Sequence, residues 1–481
     1  MLNKIICPES KCLKDALKII NDNGKGVCFI VNKDNILVGI LTDGDIRRAL
    51  LNDAQIESSV KKYMNRNYIS LPFDSDIQIV LENLSNEKIK IIPLCNGKGQ
   101  VVDYADQKNF HTIPVLSPCL EGNEMKYLAD CVRSNWISSQ GKYVREFEDI
   151  FKKLHNNYYA LAVSSGTTAL HLALEALGIK NGDEVIVPNI TFAATINSVL
   201  YCNATPVLCE IDYESWCIDI DSIKKLITTK TKAIIPVHLY GQPCDLDKLV
   251  KIANENKIYI VEDCAEAIGS KISKKRVGTF GDCSTFSFYG NKTITTGEGG
   301  MVLFRDKKVY ENAKLLRDHG MSSKRKYWHD RVGFNYRMTN LQAAVGVAQM
   351  ERFSEIIKLK QAIFNYYSKK LKDQKGILRL PSSYENISNS SWLYTLILDY
   401  SINRDDLVRK LQESGIESRP TFCALSEMPP YIKYKHSKDL KNSKLLSSQG
   451  LSLPSSTMLK EIQLEHIVNI LSRQLNTYCL K

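Results

Sequence analysis

The chain has no apolar run approaching the ~20 residues that a membrane-spanning helix needs. Its opening residues lack the basic, apolar and small-residue order of a secretory leader, so the cytoplasm is the expected compartment and no membrane partner is expected. The 14 cysteines are scattered, with no C-x-x-C pair and no His/Cys cluster, which argues against both a disulfide framework and a zinc site. Most read as small buried apolar residues, and no metal is expected. Basic residues are dispersed rather than striped, so the net charge of +11 does not predict a nucleic-acid surface. What is present is ordinary globular composition, 44% hydrophobic and 24% charged, in a chain of 481 residues, long enough for two or three units.

The most informative stretch is Ser287-Phe288-Tyr289-Gly290-Asn291-Lys292-Thr293-Ile294-Thr295-Thr296-Gly297-Glu298-Gly299-Gly300. Lys292 follows a short β-type run, Ser284 to Phe288, and precedes a Thr/Gly-rich turn, a place where a lysine could hold an aldehyde cofactor covalently. A lysine by itself is ordinarily a solvated charge. The company of Lys292 sets it apart. Upstream, Tyr259-Ile260-Val261 reads as a buried strand ending in Glu262 and Asp263. A carboxylate there is costly without a cationic partner, and a protonated pyridine nitrogen is one. Further upstream, Ser164-Ser165-Gly166-Thr167-Thr168 opens a helix whose apolar positions Leu170, Ala173, Leu174 and Leu177 recur at helical spacing. Such a turn is either an ordinary N-cap or a phosphate site.

With these segments, SGTTAL, PNITFAAT, VHLYGQP, EDCAEAIGS, SFYGNKTITTGEGG and GFNYRMTNLQAA occur in one order. Over residues 114 to 481 the chain resembles the DegT/DnrJ/EryC1/StrS family of pyridoxal-phosphate-dependent sugar aminotransferases. The resemblance implies an α/β fold: the fold type I (aspartate aminotransferase-like) transferase with a smaller C-terminal α/β portion. Short apolar strands alternating with helical patterns agree with a mostly parallel sheet. It also implies roles. Lys292 would bind the cofactor aldehyde and shuttle a proton, and Asp263 would face the pyridine nitrogen. Glu266 would lie near the 3′-hydroxyl, or else be a surface helix-start carboxylate. Phe192 would stack on the ring, and Gly166, Thr167 and Ser287 would hold the phosphate. Asn335 would reach the phosphate from a neighbouring subunit, making the enzyme a homodimer or larger with shared active sites. Arg337 would meet a carboxylate or phosphate, or form a structural ion pair. Relatives that dehydrate carry His in place of the lysine, so Lys292 implies amino transfer from L-glutamate. The segments 136–148, 389–398 and 415–431 look most like enzymes that aminate C4 of a GDP-linked 4-keto-6-deoxy sugar. Trp392 and Arg419 would then lie at the nucleotide-sugar end of the cleft, and UDP-linked sugars are the rival substrate.

The first 112 residues form a separate α/β region containing an internal repeat. The pattern strand, turn, strand over residues 26–45 returns over 89–106, each time after a helical segment (Leu13 to Asn21, then Ile77 to Leu84). With its GILTDGDIRRAL run, this resembles a tandem pair of cystathionine-β-synthase-type (CBS) modules. The resemblance implies adenine-nucleotide contacts from Thr42 and Asp45, for which the second repeat offers Asp106 and Asn109. The alternatives are a packing module without ligand, or residues that simply cap the following helix. The expected division is 1–112 for the CBS pair, 113–117 for a linker, 118–360 for the cofactor-binding domain and 361–481 for a small domain. A nucleotide-sensing protein without catalysis is the reading from another class, and the intact Lys292, Asp263, Ser287 and Asn335 argue against it.

Overall fold

The computed structural model describes residues 2–75, 77–84, 89–106, 113–156, 158–322 and 324–479. Asn109 and residues 107–112 of the expected junction lie outside them. The chain divides into two units, Met1–Ile113 with Glu461–His466, and Pro114–Lys460 with Ile467–Lys481.

In the first unit the sequence repeat is a structural one. Strand β1 (Ile6–Pro8), the helix Leu13–Asn23, β2 (Val27–Val31) and β3 (Leu37–Thr42) form one set. Strand β4 (Leu71–Pro72), the helix Ile77–Leu84, β5 (Ile91–Cys95) and β6 (Val101–Asp106) form the other. Each builds a three-stranded sheet, β1-β2-β3 and β4-β5-β6, with one parallel and one antiparallel pairing. The hairpins close for the same chemical reason. The Asn32 side chain accepts from the N–H groups of Asp34 and Ile36, and Asn96 accepts from those of Lys98 and Gln100, each reinforcing a turn whose backbone bonds, Asn35 N–H to the Asn32 carbonyl (3.1 Å) and Gly99 N–H to the Asn96 carbonyl (2.8 Å), are also made. Val27 pairs with Thr42 and Ile91 with Asp106, which makes Asp106 the counterpart of Thr42.

The second unit is built on a seven-stranded sheet, with β7 (Tyr159–Val163), β8 (Glu184–Pro188), β9 (Thr205–Cys209), β10 (Thr231–Ile234) and β11 (Tyr259–Asp263). A small excursion, β12 (Lys271–Ile272) and β13 (Lys275–Arg276), precedes β14 (Cys283–Ser287) and β15 (Gly300–Phe304). The order is β7-β15-β14-β11-β10-β8-β9; β15 runs against its neighbours and the other pairings are parallel. Alternate residues of each strand feed opposite faces. On one face Phe147, Phe151, Phe286 and Phe288 pack with ring centroids 5.0–5.4 Å apart. On the other, the apolar helix Gly166–Leu177 lies against Leu161, Val163, Val185 and Val187. The helix Phe353–Leu371 runs through residue 360. Beyond it lie β16 (Ile377–Arg379), β17 (Ile387–Ser388), β18 (Tyr394–Leu398), β19 (Arg419–Pro420) and β20 (Gly450–Leu453). Four of these make an antiparallel sheet, β16-β18-β20-β19, and the apolar run SWLYTLILDY supplies its β18. No helix among the described residues is long and apolar enough to cross a membrane.

The end of β11 is organised by Glu262, which is fully buried. Its carboxylate accepts the N–H groups of Gly278 (2.7 Å), Phe280 (2.8 Å) and Gly281 (2.7 Å). His238 Nε2 lies 3.2 Å away, and since His238 Nδ1 accepts from Cys244 N–H, Nε2 carries the proton and donates. Burial alone would raise this carboxyl, but His238 and the backbone donors outweigh it and hold it below its ordinary value. A depressed carboxyl contributes stability above the unfolded-state carboxylate range and loses it as pH falls through the folded-state value. Glu262→Gln turns an NH2 toward backbone donors. It is expected to cost about 2–4 kcal/mol in urea unfolding at pH 7 and to flatten the acid dependence. Equal stability of the two proteins would remove Glu262 from this role.

Candidate active site

A cavity of about 500 Å³ opens at the carboxyl ends of the parallel strands, where ligands bind in open α/β sheets. Five strand ends supply it. The turn after β7 brings Gly166 and Thr167, the segment after β8 brings Phe192 and Thr195, β11 ends in Asp263, β14 ends in Ser287, and the segment beyond β10 brings Tyr240. Lys292 and Glu266 line the same cavity, and Trp392 and Arg419 enter from the antiparallel sheet region.

Two glycines let the backbones close up. A Cβ on Gly166 would meet Ser287 Cβ at 2.8 Å, and one on Gly300 would meet the Ser165 carbonyl oxygen at 2.4 Å. The turn that opens the helix Gly166–Leu177 therefore sits directly against the end of β14. Ser165 and Thr168 form a reciprocal capping box, so the ordinary N-cap reading holds. The first-turn N–H groups of Gly166 and Thr167 have no intrahelical acceptor, and they line the cavity beside Ser287.

Lys292 Nζ lies 3.4 Å from Glu266 Oε1 and 3.8 Å from the centre of the Trp392 ring. Glu266 is 5% exposed, so it is no surface helix-start carboxylate. Its other oxygen accepts from Tyr240 N–H at 2.8 Å. Burial raises the Glu266 carboxyl, against the pull of Lys292 and that N–H. Trp392 is fixed by its indole N–H donating to the Asn291 carbonyl (2.8 Å) and by stacking on Tyr240. Phe192 is 61% exposed and presents an open ring to the cavity. Arg419 pairs with Glu417 at 2.8 Å.

Asp263 tests whether this cavity suits a pyridoxal phosphate. It is 4% exposed, and among the described residues its oxygens accept from the Thr195 hydroxyl (2.9 Å) and Ala265 N–H (3.1 Å). It forms no ion pair among the described residues, and burial raises its carboxyl. A buried carboxylate that lines a cavity and has no ion-pair partner among the described residues fits a protonated ring nitrogen. With the Gly166–Thr167–Ser287 turn for an anion, an open aromatic face and a lysine, the residues present fit the group.

Two expected residues lie elsewhere. Asn335 is exposed and outside the lining of this cavity, where the resemblance assigns it to a neighbouring subunit's site. Arg337 is bound to Asp318, the structural ion pair that was the alternative reading, and it too lies outside the lining. In the first unit Thr42 and Asp45 form a capping box, with the Thr42 hydroxyl 2.6 Å from Asp45 Oδ2 and Asp45 paired with Arg48. Sequence reasoning missed Thr195 and Tyr240, although PNITFAAT and VHLYGQP contain them; Tyr240 has a left-handed backbone (φ 53°). It also missed Lys360, which carried no local signal. Lys360 is 3% exposed and donates to the carbonyls of Trp392 (2.9 Å) and Ser455 (2.6 Å), and burial lowers it to about 7.

A raised buried carboxyl destabilises the fold as pH rises from the unfolded-state value through the folded-state one. Asp263→Asn is therefore expected to stabilise the cofactor-free protein at pH 7 by about 1 kcal/mol in urea unfolding. A loss of stability would show that Asp263 is tied into the scaffold rather than waiting for a cation.

Residues 118–472 match the model of the DegT/DnrJ/EryC1/StrS aminotransferase family, and residues 4–52 match that of the CBS domain. The chain is 45% identical over 370 residues to a GDP-perosamine synthase of Vibrio cholerae, covering 76% of this chain and 99% of the relative. It is 43% identical over 365 residues to a GDP-perosamine synthase of Caulobacter vibrioides, covering 76% and 98%. Among solved structures, an aminotransferase from Psychrobacter cryohalolentis is 28% identical and superposes with a TM-score of 0.72, covering 76% of this chain and all of that one. The fold type I neighbours, the lysine-bearing cavity and a family match spanning most of the second unit converge: the chain belongs to the DegT/DnrJ/EryC1/StrS family, and is a pyridoxal-phosphate-dependent aminotransferase preceded by a CBS domain.

Proposed function

We propose that this enzyme transfers the amino group of L-glutamate to C4 of a GDP-linked 4-keto-6-deoxy sugar, with GDP-4-keto-6-deoxy-D-mannose as substrate and GDP-perosamine as product. The observation that carries the reading is that relatives named GDP-perosamine synthase, 42–45% identical, align over about three quarters of this chain. A second reading, a UDP-linked substrate, is favoured by a relative from Acidithiobacillus ferrooxidans. That protein is named a UDP-N-acetyl-3-dehydro-glucosamine 3-aminotransferase and is 34% identical over 320 residues, 66% of this chain and 85% of its own length.

Pyridoxal phosphate, when bound, supplies the aldehyde and an electron sink. The chain supplies the rest. Gly166, Thr167 and Ser287 would hold the phosphate, and the Phe192 ring would pack against the group. Asp263, held in place by Thr195 and Ala265 N–H, would keep a proton on the ring nitrogen. Glu266 and Trp392 orient Lys292 Nζ from two sides. Lys292 Nζ takes the proton from the glutamate α-carbon and later delivers one to the sugar carbon. Arg419 lies at the open end of the cavity, where a sugar diphosphate would enter.

Asn335, exposed on this chain, supports an assembly of at least two subunits that share active sites. Free cysteines throughout the described residues suit a reducing compartment, the cytoplasm, and the product suits a surface polysaccharide such as an O-antigen. The CBS region is assigned a nucleotide-responsive role through Thr42 and Asp45.

Purified full-length protein with L-glutamate is expected to convert the GDP-linked keto sugar to its amine, read by mass spectrometry, and to leave the UDP-linked sugar unchanged. Asp263→Asn should lower this turnover by at least 100-fold while the protein stays folded. Conversion of only the UDP sugar would overturn the substrate assignment and leave the chemistry standing. For the CBS region, an adenine nucleotide should change turnover of the full chain at least twofold and leave Asp45→Ala unaffected. An identical response of both proteins would refute the assignment.

A further inference from the structure

Two groups of metal-competent side chains come together in the second unit, His238 with Glu262 and Cys264, and His171 with Glu175 and Cys202. Their hydrogen bonding separates them. In the first group, the Glu262 oxygens already take three backbone N–H groups and His238, while His238 Nδ1 takes Cys244 N–H. Of the three, only the Cys264 sulfur is left to offer an ion, and one donor does not make a site.

The second group is different. His171 and Glu175 are one turn apart on the helix Gly166–Leu177, so their side chains share a face. Cys202 follows directly on the helix Ala193–Tyr201, which packs beside it. One ring nitrogen, one carboxylate oxygen and the sulfur lie within 4.8 Å of one another. His171 is 5% exposed, and its Nε2 makes no hydrogen bond among the described residues, lying 3.5 Å from Glu175 Oε1. Its Nδ1 is 3.0 Å from the Tyr336 hydroxyl, the outer partner that orients a coordinating imidazole. Neither the Glu175 carboxylate nor the Cys202 sulfur receives a backbone N–H among the described residues. The rings of Phe334 and Tyr201, centred 4.9 and 5.7 Å from that of His171, surround the imidazole. Glu175 remains partly exposed, which leaves a way in.

We propose that His171 Nε2, Glu175 and Cys202 bind one divalent transition-metal ion of intermediate softness, of the Zn²⁺ class. One nitrogen, one oxygen and one sulfur donor suit that class, with a water in the fourth position. Tetrahedral bonds of ~2.0–2.3 Å put ligand atoms about 3.4–3.7 Å apart, so closure needs movements of only about 1 Å, within the reach of side-chain rotation. The bond forms between the metal and the thiolate, and the thiol proton leaves to solvent. The ion would tie the middle of the helix Gly166–Leu177 to the end of the next helix and, through Tyr336, to the Asn335–Arg337 segment. The site is distinct from the lysine cavity, none of its three residues lining it.

The test uses the full-length holoenzyme, stripped with a chelator and desalted. It is titrated with Zn²⁺ against a chromophoric competitor, and separately with Co²⁺ to read thiolate-to-cobalt absorption. The expected result is one ion per chain, with uptake weakened at least tenfold in Cys202→Ser and in Glu175→Gln, and the cobalt–thiolate band absent from the former. Zn²⁺ should raise the unfolding temperature of the wild type and not of either variant. Both variants should retain the wild-type cofactor absorption, which shows that they are folded. Uptake below one ion per chain, or undiminished uptake in the Glu175→Gln, Cys202→Ser double variant, would overturn the proposal.

Discussion

The active-site end of the second unit depends on two consecutive buried carboxylates, Glu262 and Asp263, at the end of β11. Side chains alternate across a strand, so the two point to opposite sides. Glu262 turns into the scaffold and gathers the Gly278–Gly281 loop and His238 around itself. Asp263 turns toward the cavity, held by Thr195 and Ala265 but left without an ion-pair partner among the described residues. The same desolvation acts on both and is answered differently. Glu262 is compensated internally and its carboxyl is held low, whereas Asp263 is not and its carboxyl is raised. One carboxylate is satisfied by the scaffold, and its neighbour faces the cavity with its burial less compensated.

Around that strand end, close backbone approach does the positioning. Gly166 against Ser287 and Gly300 against Ser165 bring the turn after β7 onto the end of β14, where any Cβ would collide. Behind the lysine, Lys360 binds the carbonyls of Trp392 and Ser455, and Trp392 in turn holds the Asn291 carbonyl and covers Lys292. Tyr240 accepts a left-handed backbone that places its N–H on Glu266 while its ring stacks on Trp392 and Phe422. Rotamers locked in this way keep Lys292 within a narrow range of positions.

Within the first unit, the repeat is stitched across its halves. Leu37 N–H donates to the Gly99 carbonyl (3.0 Å), and Lys25 pairs with the largely buried Asp106 at 2.8 Å. Asp106 occupies the place that Thr42 holds in the first repeat. The two positions have diverged chemically, one capping a helix and the other joining the halves, so the repeat is equal in backbone and unequal in side chains.

Much of this was legible in the sequence. Lys292 and Asp263 stand out from short-range pattern, because a strand, its terminal polar residue and the following turn are encoded by neighbouring residues, whereas Ser287 was singled out by the family resemblance. The duplicated hairpins were legible for the same reason, and the runs Tyr259 to Val261 and Ser284 to Phe288 fall within two residues of β11 and β14. Sequence could not show that Glu262, adjacent to Asp263, has a structural task, since alternation has consequences only once both faces are packed. It could not separate the capping role of Thr42 and Asp45, or the ion pair of Arg337 with Asp318, from the ligand roles that the same residue types also serve. Lys360, Trp392 and the carbonyl of Ser455 meet across some 95 positions of chain. His171 and Glu175 meet Cys202 only because two helices pack side by side. Local order was determined by the sequence of neighbours, and the pairing of distant polar groups was decided by burial, which leaves each of them few partners to choose from.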